Sequence, residues 1–176
     1  IYTRTAGLWM YRTTISSPSP ESGELFGFQL QLRNGTLVVS APQRGTTDEG
    51  SAFVFVGSGA TWTYQATLSR AMPAADDVCG WSITLGMNRV AMGCRTTDTG
   101  AVVVFTRSGS TWSGGVELLA SDVTAGDSFG ATVAMASNND SRIAVGAPSQ
   151  SAAGASGVGA AYLFETGPGG TWTETK

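Results

Sequence analysis

Four tryptophans, Trp9, Trp62, Trp112 and Trp172, stand 53, 50 and 60 residues apart, and each follows an aromatic run and a glycine-bearing turn. The runs are Ile1-Tyr2, Phe53-Val54-Phe55, Val103-Val104-Phe105 and Tyr162-Leu163-Phe164. Self-similarity at a period of about 50 residues is the mark of a propeller blade or solenoid unit. Such a unit buries its apolar faces only by stacking on its neighbours, so the period confines the chain to an array.

Aligning the copies on tryptophan exposes the rest of the unit. An aliphatic residue follows six positions on (Ile15, Leu68, Leu118), then a polar stretch, then an acid two positions before Phe26-Gly27, Cys79-Gly80 or Phe129-Gly130. The acids are Glu24, Asp77 and Asp127. An alternating run comes next, as in Phe28-Gln29-Leu30-Gln31-Leu32, then a turn such as Asn34-Gly35, then Leu37-Val38-Val39-Ser40-Ala41-Pro42 or its counterpart Ala144-Val145-Gly146-Ala147-Pro148. Gly50, Gly100 or Gly159 opens the aromatic run, always five residues before its Phe. Short runs rich in Val, Phe, Tyr, Thr and Ile between Gly, Asn, Asp and Ser clusters read as strands and tight turns, so one period predicts a four-stranded antiparallel meander. Asn34-Gly35 is a two-residue hairpin signal, since both residues tolerate positive φ. With 24 glycines in 176 residues and no long apolar stripe of helical period, helix is not expected.

Composition narrows the function classes. A net charge of −3 offers no basic footprint for nucleic acid or an anionic membrane surface. No apolar run approaches the roughly 20 residues of a membrane span. The chain has no histidine, which removes Ser-His and Cys-His nucleophile pairs and the common zinc constellations. Asp76-Asp77 and Asp48-Glu49 are the only adjacent acids and fall in connecting segments. The glycine-rich stretch 167–170 lacks the Lys-Ser/Thr tail of a phosphate loop. A non-enzymatic protein is expected.

The strings ELFGFQLQLRNGTLVVSAP (24–42), GAVVVFTRSGSTWSGGVEL (100–118) and DSFGATVAMASNNDSRIAVGAP (127–148) resemble the FG-GAP repeat, the blade unit of integrin-α-type β-propellers, in its calcium-poor subclass. The resemblance spans nearly the whole chain and implies an all-β propeller of four-stranded antiparallel blades, either an open array or part of a ring of six or seven. It also implies an extracellular or cell-surface setting and no particular ligand. On this alignment residues 1–20 are the last strands of a preceding blade, 21–68 are repeat 1, 69–118 repeat 2, and 119–176 repeat 3 with the start of a further outer strand. Both ends fall inside a repeat, so a slice of a longer polypeptide is expected.

Departures from the family pattern carry the remaining expectations. Calcium-binding members hold the ion in an Asp/Asn-rich loop between the first two strands. The loops here are Arg33-Asn34-Gly35-Thr36, Gly86-Met87-Asn88-Arg89 and Ser137-Asn138-Asn139-Asp140-Ser141. Only the third comes near a cage, with Asn138, Asn139 and Asp140, and it falls short of the usual oxygen count; neither calcium nor another cofactor is expected. Cys79 replaces the Phe of FG and Cys94 the Pro of GAP. Across one hairpin the two are within disulfide reach, the alternatives being buried free thiols or a redox or metal pair. Asn34-Gly35-Thr36 and Asn139-Asp140-Ser141 are N-glycosylation sequons in the same hairpin of different repeats, or plain turn chemistry. Ser17-Pro18-Ser19-Pro20 reads as an exposed connecting loop. The four periodic tryptophans are expected to be packed between strands or blades, and Trp81, which occurs once, to repack around the cysteines.

Two functional readings follow. The first is a structural or adhesive module of a surface or secreted assembly, whose partners are other subunits or further copies or repeats of the same polypeptide, as in a filament or envelope. The second is a ligand- or carbohydrate-binding propeller of a secreted or surface receptor. Exposed polar and aromatic residues converging on one face would favour ligand recognition, and burial of the array's ends would favour assembly.

Overall fold

Each alternating run becomes a strand, and each Asn-Gly or Ser-Gly cluster a reversal. The computed structural model describes residues 1–175 apart from 96–97, 137, 152–154 and 168; Ser137, Pro168 and Lys176, drawn into the sequence reading above, lie outside the described residues. Among the described residues there are fifteen strands and no helix.

β1 (Tyr2–Thr5) and β2 (Leu8–Tyr11) form a hairpin whose turn, Ala6-Gly7, has positive φ at both residues. Blade 1 comprises β3 (Leu30–Arg33), β4 (Thr36–Ala41), β5 (Ser51–Ser58) and β6 (Thr61–Leu68) in that spatial order. Its first turn is Asn34-Gly35, with φ of 46° and 72°, the mirror-image geometry that the right-handed twist of a two-residue hairpin requires. Blade 2 comprises β7 (Cys79–Leu85), β8 (Arg89–Cys94), β9 (Ala101–Ser108), and an outer strand broken into β10 (Thr111–Trp112) and β11 (Val116–Leu118), both paired with β9. At the break, the Ser113 hydroxyl accepts the Thr106 amide that a continuous strand would have paired (2.9 Å). Blade 3 comprises β12 (Thr132–Met135), β13 (Arg142–Ala147), β14 (Ala160–Thr166) and β15 (Trp172–Thr175). All strand pairs within the sheets are antiparallel, as the meander predicts.

The blades stack face to face, with the first strands of neighbouring blades adjacent: β7 lies against β3 and β4 of blade 1, and β12 against β7 and β8 of blade 2. This is the arrangement of propeller blades, and the array is not closed into a ring. Three apolar layers hold it. The first lies on the hairpin side of blade 1, where Leu37, Val39, Phe53 and Phe55 are covered by Ile1 and Ile15. The second joins Val38, Val54 and Leu68 of blade 1 to Ile83, Met92, Val103 and Phe105 of blade 2. The third joins Ala91, Val102 and Val104 of blade 2 to Phe129, Ile143, Val145 and Phe164 of blade 3. Because strand side chains alternate between faces, odd and even residues of β9 belong to different layers.

Backbone contact between blades explains where glycine is needed. Gly100 (φ +85°) forms a parallel bridge to Phe129 of the next blade, and a Cβ there would overlap the Phe129 carbonyl; Gly50 and Cys79 repeat this one blade earlier. The glycine of FG works from the other side, since a Cβ on Gly130 would lie 2.5 Å from the Ala101 carbonyl oxygen.

One register differs from the sequence reading. Cys94 pairs with Ala101, as Ala41 pairs with Ser51 and Ala147 with Ala160. Cys94 therefore occupies the Ala position of GAP, and Arg95 stands where the Pro would be.

Candidate functional site

Every repeat builds the same corner ahead of its first strand. Glu24, Asp77 and Asp127 are buried, and the residue after each (Leu25, Val78, Ser128) has φ between 47° and 59°. The strained backbone turns the following Phe or Cys into the core while the acid secures the turn. Asp127 accepts from the Thr124 amide (2.7 Å), and Asp77 from the Ala74 amide (2.7 Å) and Arg70 (3.0 Å). Glu24 instead receives the guanidinium of Arg44 (2.7 Å). The periodic acids are thus structural. The sequence shows their spacing, whereas the left-handed residue beside them carries no compositional signal.

The cysteines are joined: Cys79 and Cys94 form a disulfide across β7 and β8, fully buried in the layer between blades 1 and 2. It fills the space that Phe129 and Ala147 occupy in blade 3. Trp81, expected to repack around the cysteines, also bridges blades. Its ring lies 5.0 Å from that of Phe28, just ahead of β3 of blade 1, and the Arg95 guanidinium lies 4.8 Å from the Trp81 ring centroid.

The two sequon asparagines, Asn34 and Asn139, are both exposed in turns between the first and second strands of their blades. Asn139 Oδ1 accepts from the Ser141 amide (3.1 Å) and hydroxyl (2.7 Å), while Thr36 of the first sequon accepts from Arg107 of blade 2 (3.0 Å). Of the three residues nearest to a calcium set, Asn138 is exposed, and Asn139 and Asp140 bond to different partners. Asp140 is 4% exposed and turned to blade 2, where its carboxylate accepts from the amides of Met87 and Asn88, 2.7 Å each, and its carbonyl from Arg89 (2.7 Å). The acid nearest to a calcium ligand is a clasp between blades. Among the described residues, no group of three or more Asp, Glu or Cys side chains is placed to share a metal.

Further side-chain bonds cross the same interfaces. Gln29 accepts from the Ile83 amide, Gln65 from Trp112 Nε1, and the Gly130 carbonyl from the Ser82 hydroxyl, at 2.7 to 3.0 Å. Trp62, Trp112 and Trp172 are half-buried, each on the face of its blade that meets the preceding sheet. Trp9 departs from the expectation that all four are packed: it is 69% exposed, with no sheet among the described residues on its face of the hairpin. Tyr2 and Tyr11 share that face, 63% and 58% exposed, edge-to-face at 5.7 Å. At the far end of the array, Ala144, Ala161 and Leu163 form an exposed face on blade 3.

On that far face lies an open cavity of about 610 Å³, lined by Ala144, Ala161 and Leu163 together with Asp122, Gln150, Tyr162 and Glu174. Its polar groups bond to one another or to the adjoining turn. Gln150 donates to the Tyr162 hydroxyl, which donates to Asp122 (2.7 Å), and Glu174 accepts from Ser121 (2.8 Å). Burial, then the bond to the Asp122 carboxylate, holds the Tyr162 phenol well above the ordinary tyrosine range.

No helix is long and apolar enough to cross a membrane among the described residues. No curated protein matches the chain. The FG-GAP repeat model matches residues 112–164, a window of about one period that opens at Trp112, completes blade 2 and runs into the third strand of blade 3. Together with the repeated acid-x-Phe-Gly corner and the stacked four-stranded sheets, that match places the segment 112–164 in the FG-GAP repeat family.

Proposed function

We propose that the chain is a non-enzymatic structural or adhesive β-propeller module of an extracellular or cell-surface assembly, which acts by contact of its outer blade faces with other subunits or with further copies or repeats of the same polypeptide. The observation that carries this reading is the pair of exposed apolar faces. Tyr2 at one end and Ala144, Ala161 and Leu163 at the other keep the apolar character of positions that are buried elsewhere, such as Phe55, Ala91, Val102 and Val104, and Trp9 and Tyr11 extend the first face. Exposed contiguous apolar surface of this kind marks interaction sites. FG-GAP repeats and a buried disulfide are both typical of extracellular proteins. The reading requires no cofactor. It places N-linked glycans on Asn34 and Asn139, which leave both apolar faces free because they stand on turns at the rim.

Hydroxyl-radical footprinting tests it. In native material Tyr2, Trp9, Tyr11 and Leu163 are protected, and in the isolated chain they are labelled. Equal labelling in both would refute a contact role for these faces. Mapping of intact mass on the same native material is expected to show glycan on Asn34 and Asn139, and two unmodified asparagines would remove the glycoprotein part.

A further inference from the structure

Independently of the end faces, we infer that the connecting loops of the three blades build a binding site for an acidic saccharide, a sugar chain that carries carboxylates and free hydroxyls. The site is an open cavity of about 670 Å³ at the end of the sheets opposite the sequon turns. Gln43 and Asp48 reach it from the β4–β5 connection, Asp76 and Val78 from the β6–β7 connection, Arg95 from the β8–β9 connection, and Ser128 from the corner ahead of blade 3. Backbone bonds lock these walls together. Asp76 donates to the Thr47 carbonyl (2.8 Å) and Val78 to that of Asp48 (2.9 Å) across the first interface, and Gly126 to that of Asp98 (3.1 Å) across the second.

Three residues at this spot depart from the repeat, and they replace residues that serve the fold. Asp76 has φ of 60° where the other copies have Gly23 and Gly126, at 83° and 90°, so a side chain is kept at a left-handed position that glycine fills without strain. Arg95 stands where the other copies have Pro42 and Pro148, and Trp81 where they have Phe28 and Ala131. Local choices that run against the fold mark functional sites. Arg95 and Trp81 act as a unit: the guanidinium lies 4.8 Å from the Trp81 ring centroid, and both residues flank the Cys79–Cys94 bond, which fixes their backbones.

Among the described residues, the Asp48 and Asp76 carboxylates and the Arg95 guanidinium form no ion pair or side-chain hydrogen bond, so all three are open to a ligand. A carboxylate only accepts and a guanidinium only donates, so the ligand must bring O–H or N–H donors at two points and an anion at a third. Val78 is the one apolar side chain among the described residues that line the cavity, which is too little apolar wall for a lipid or an apolar peptide. A uronate sugar meets the requirement. Its carboxylate takes the flat fork of Arg95 in two parallel bonds, and its ring hydroxyls donate to Asp48 and Asp76.

Calorimetric titration of the disulfide-intact chain with tetragalacturonate, and with maltotetraose as the neutral counterpart, provides the test. Saturable binding of the uronate and none of the neutral sugar is expected, with the Trp81 indole N–H signal shifting in the NMR spectrum as the site fills. The decisive variants restore the repeat. Arg95→Pro is expected to weaken uronate binding about 10- to 100-fold and Asp76→Gly about 3- to 10-fold, while both unfold at the wild-type temperature or above, since each regains the residue that the fold prefers. Arg95→Lys keeps the charge but loses the fork, and falls between Arg95→Pro and the wild type. A wild type that gives no saturable heat with tetragalacturonate up to about 10 mM overturns the inference. So do variants that bind as tightly as the wild type, equal binding of maltotetraose, or tighter binding of tetra-arginine, which would assign the cavity to a basic peptide. Footprinting of the end faces in native material is unaffected by any of these results and tests protein contact separately.

Discussion

Blades 2 and 3 come from the same repeat, yet blade 2 is buried on both faces and blade 3 on one. In β9 the five residues from Ala101 to Phe105 are all buried, whereas β14 alternates, with Tyr162 and Phe164 inside and Ala161 and Leu163 outside. The strands have the same length class, register and partners. Burial is therefore a property of stacking, and a blade gains its second buried face only from a neighbour. The two-sided burial of a central blade is the reason its strands read as continuous apolar runs.

Substitutions can break this comparison directly. Phe105→Ala opens a cavity in the layer between blades 1 and 2 and is expected to cost about 3–5 kcal/mol, whereas Leu163→Ala in blade 3 costs less than about 1 kcal/mol. Denaturant titration of both variants checks the contrast, and equal losses would show that the outer face of blade 3 is covered. Replacing both Cys79 and Cys94 by serine costs about 3 kcal/mol, from the loop of 15 residues that the bond closes. Thermal unfolding measures it, with reduced and oxidised wild type as references.

Smaller effects sharpen the interface between the two blades. Asp140→Ala leaves the Met87 and Asn88 amides without their carboxylate and is expected to cost about 2 kcal/mol. Asp140→Asn recovers part of this, since one amide oxygen still accepts. A stability set by a bound cation would instead respond to chelator, and the clasp predicts no such response. The smallest effect is alkaline. Because the buried Tyr162 phenol titrates above its unfolded value of about 10, its contribution is complete below that pH and is lost as pH rises beyond it. Tyr162→Phe is expected to flatten the loss of stability above pH 10, as followed by circular dichroism, and an unchanged profile would place the ionisation elsewhere.

What the sequence made legible was local or periodic. The strands, the Asn34-Gly35 turn and the Cys79–Cys94 hairpin depend on residues close in the chain, and the glycines of FG and of the third strand recur at fixed offsets. Hidden features depend on contacts some 50 residues away. Asp140 reads as a turn acid in one hairpin and becomes a clasp only when blade 2 is set beside it. Trp9 has the same local context as Trp62, and only the sheet that covers one and not the other separates them. Cys94 lay one position off because strand pairing fixes register more tightly than motif spacing does.

Amide hydrogen exchange on the dilute, disulfide-intact chain tests the stacked-array account most directly. The account predicts the slowest exchange in β8 and β9 of blade 2, faster exchange in β14 and β15 of blade 3, and the fastest in the β1–β2 hairpin. Protection of β14 and the hairpin equal to that of β9 in a chain shown to be monomeric would contradict it.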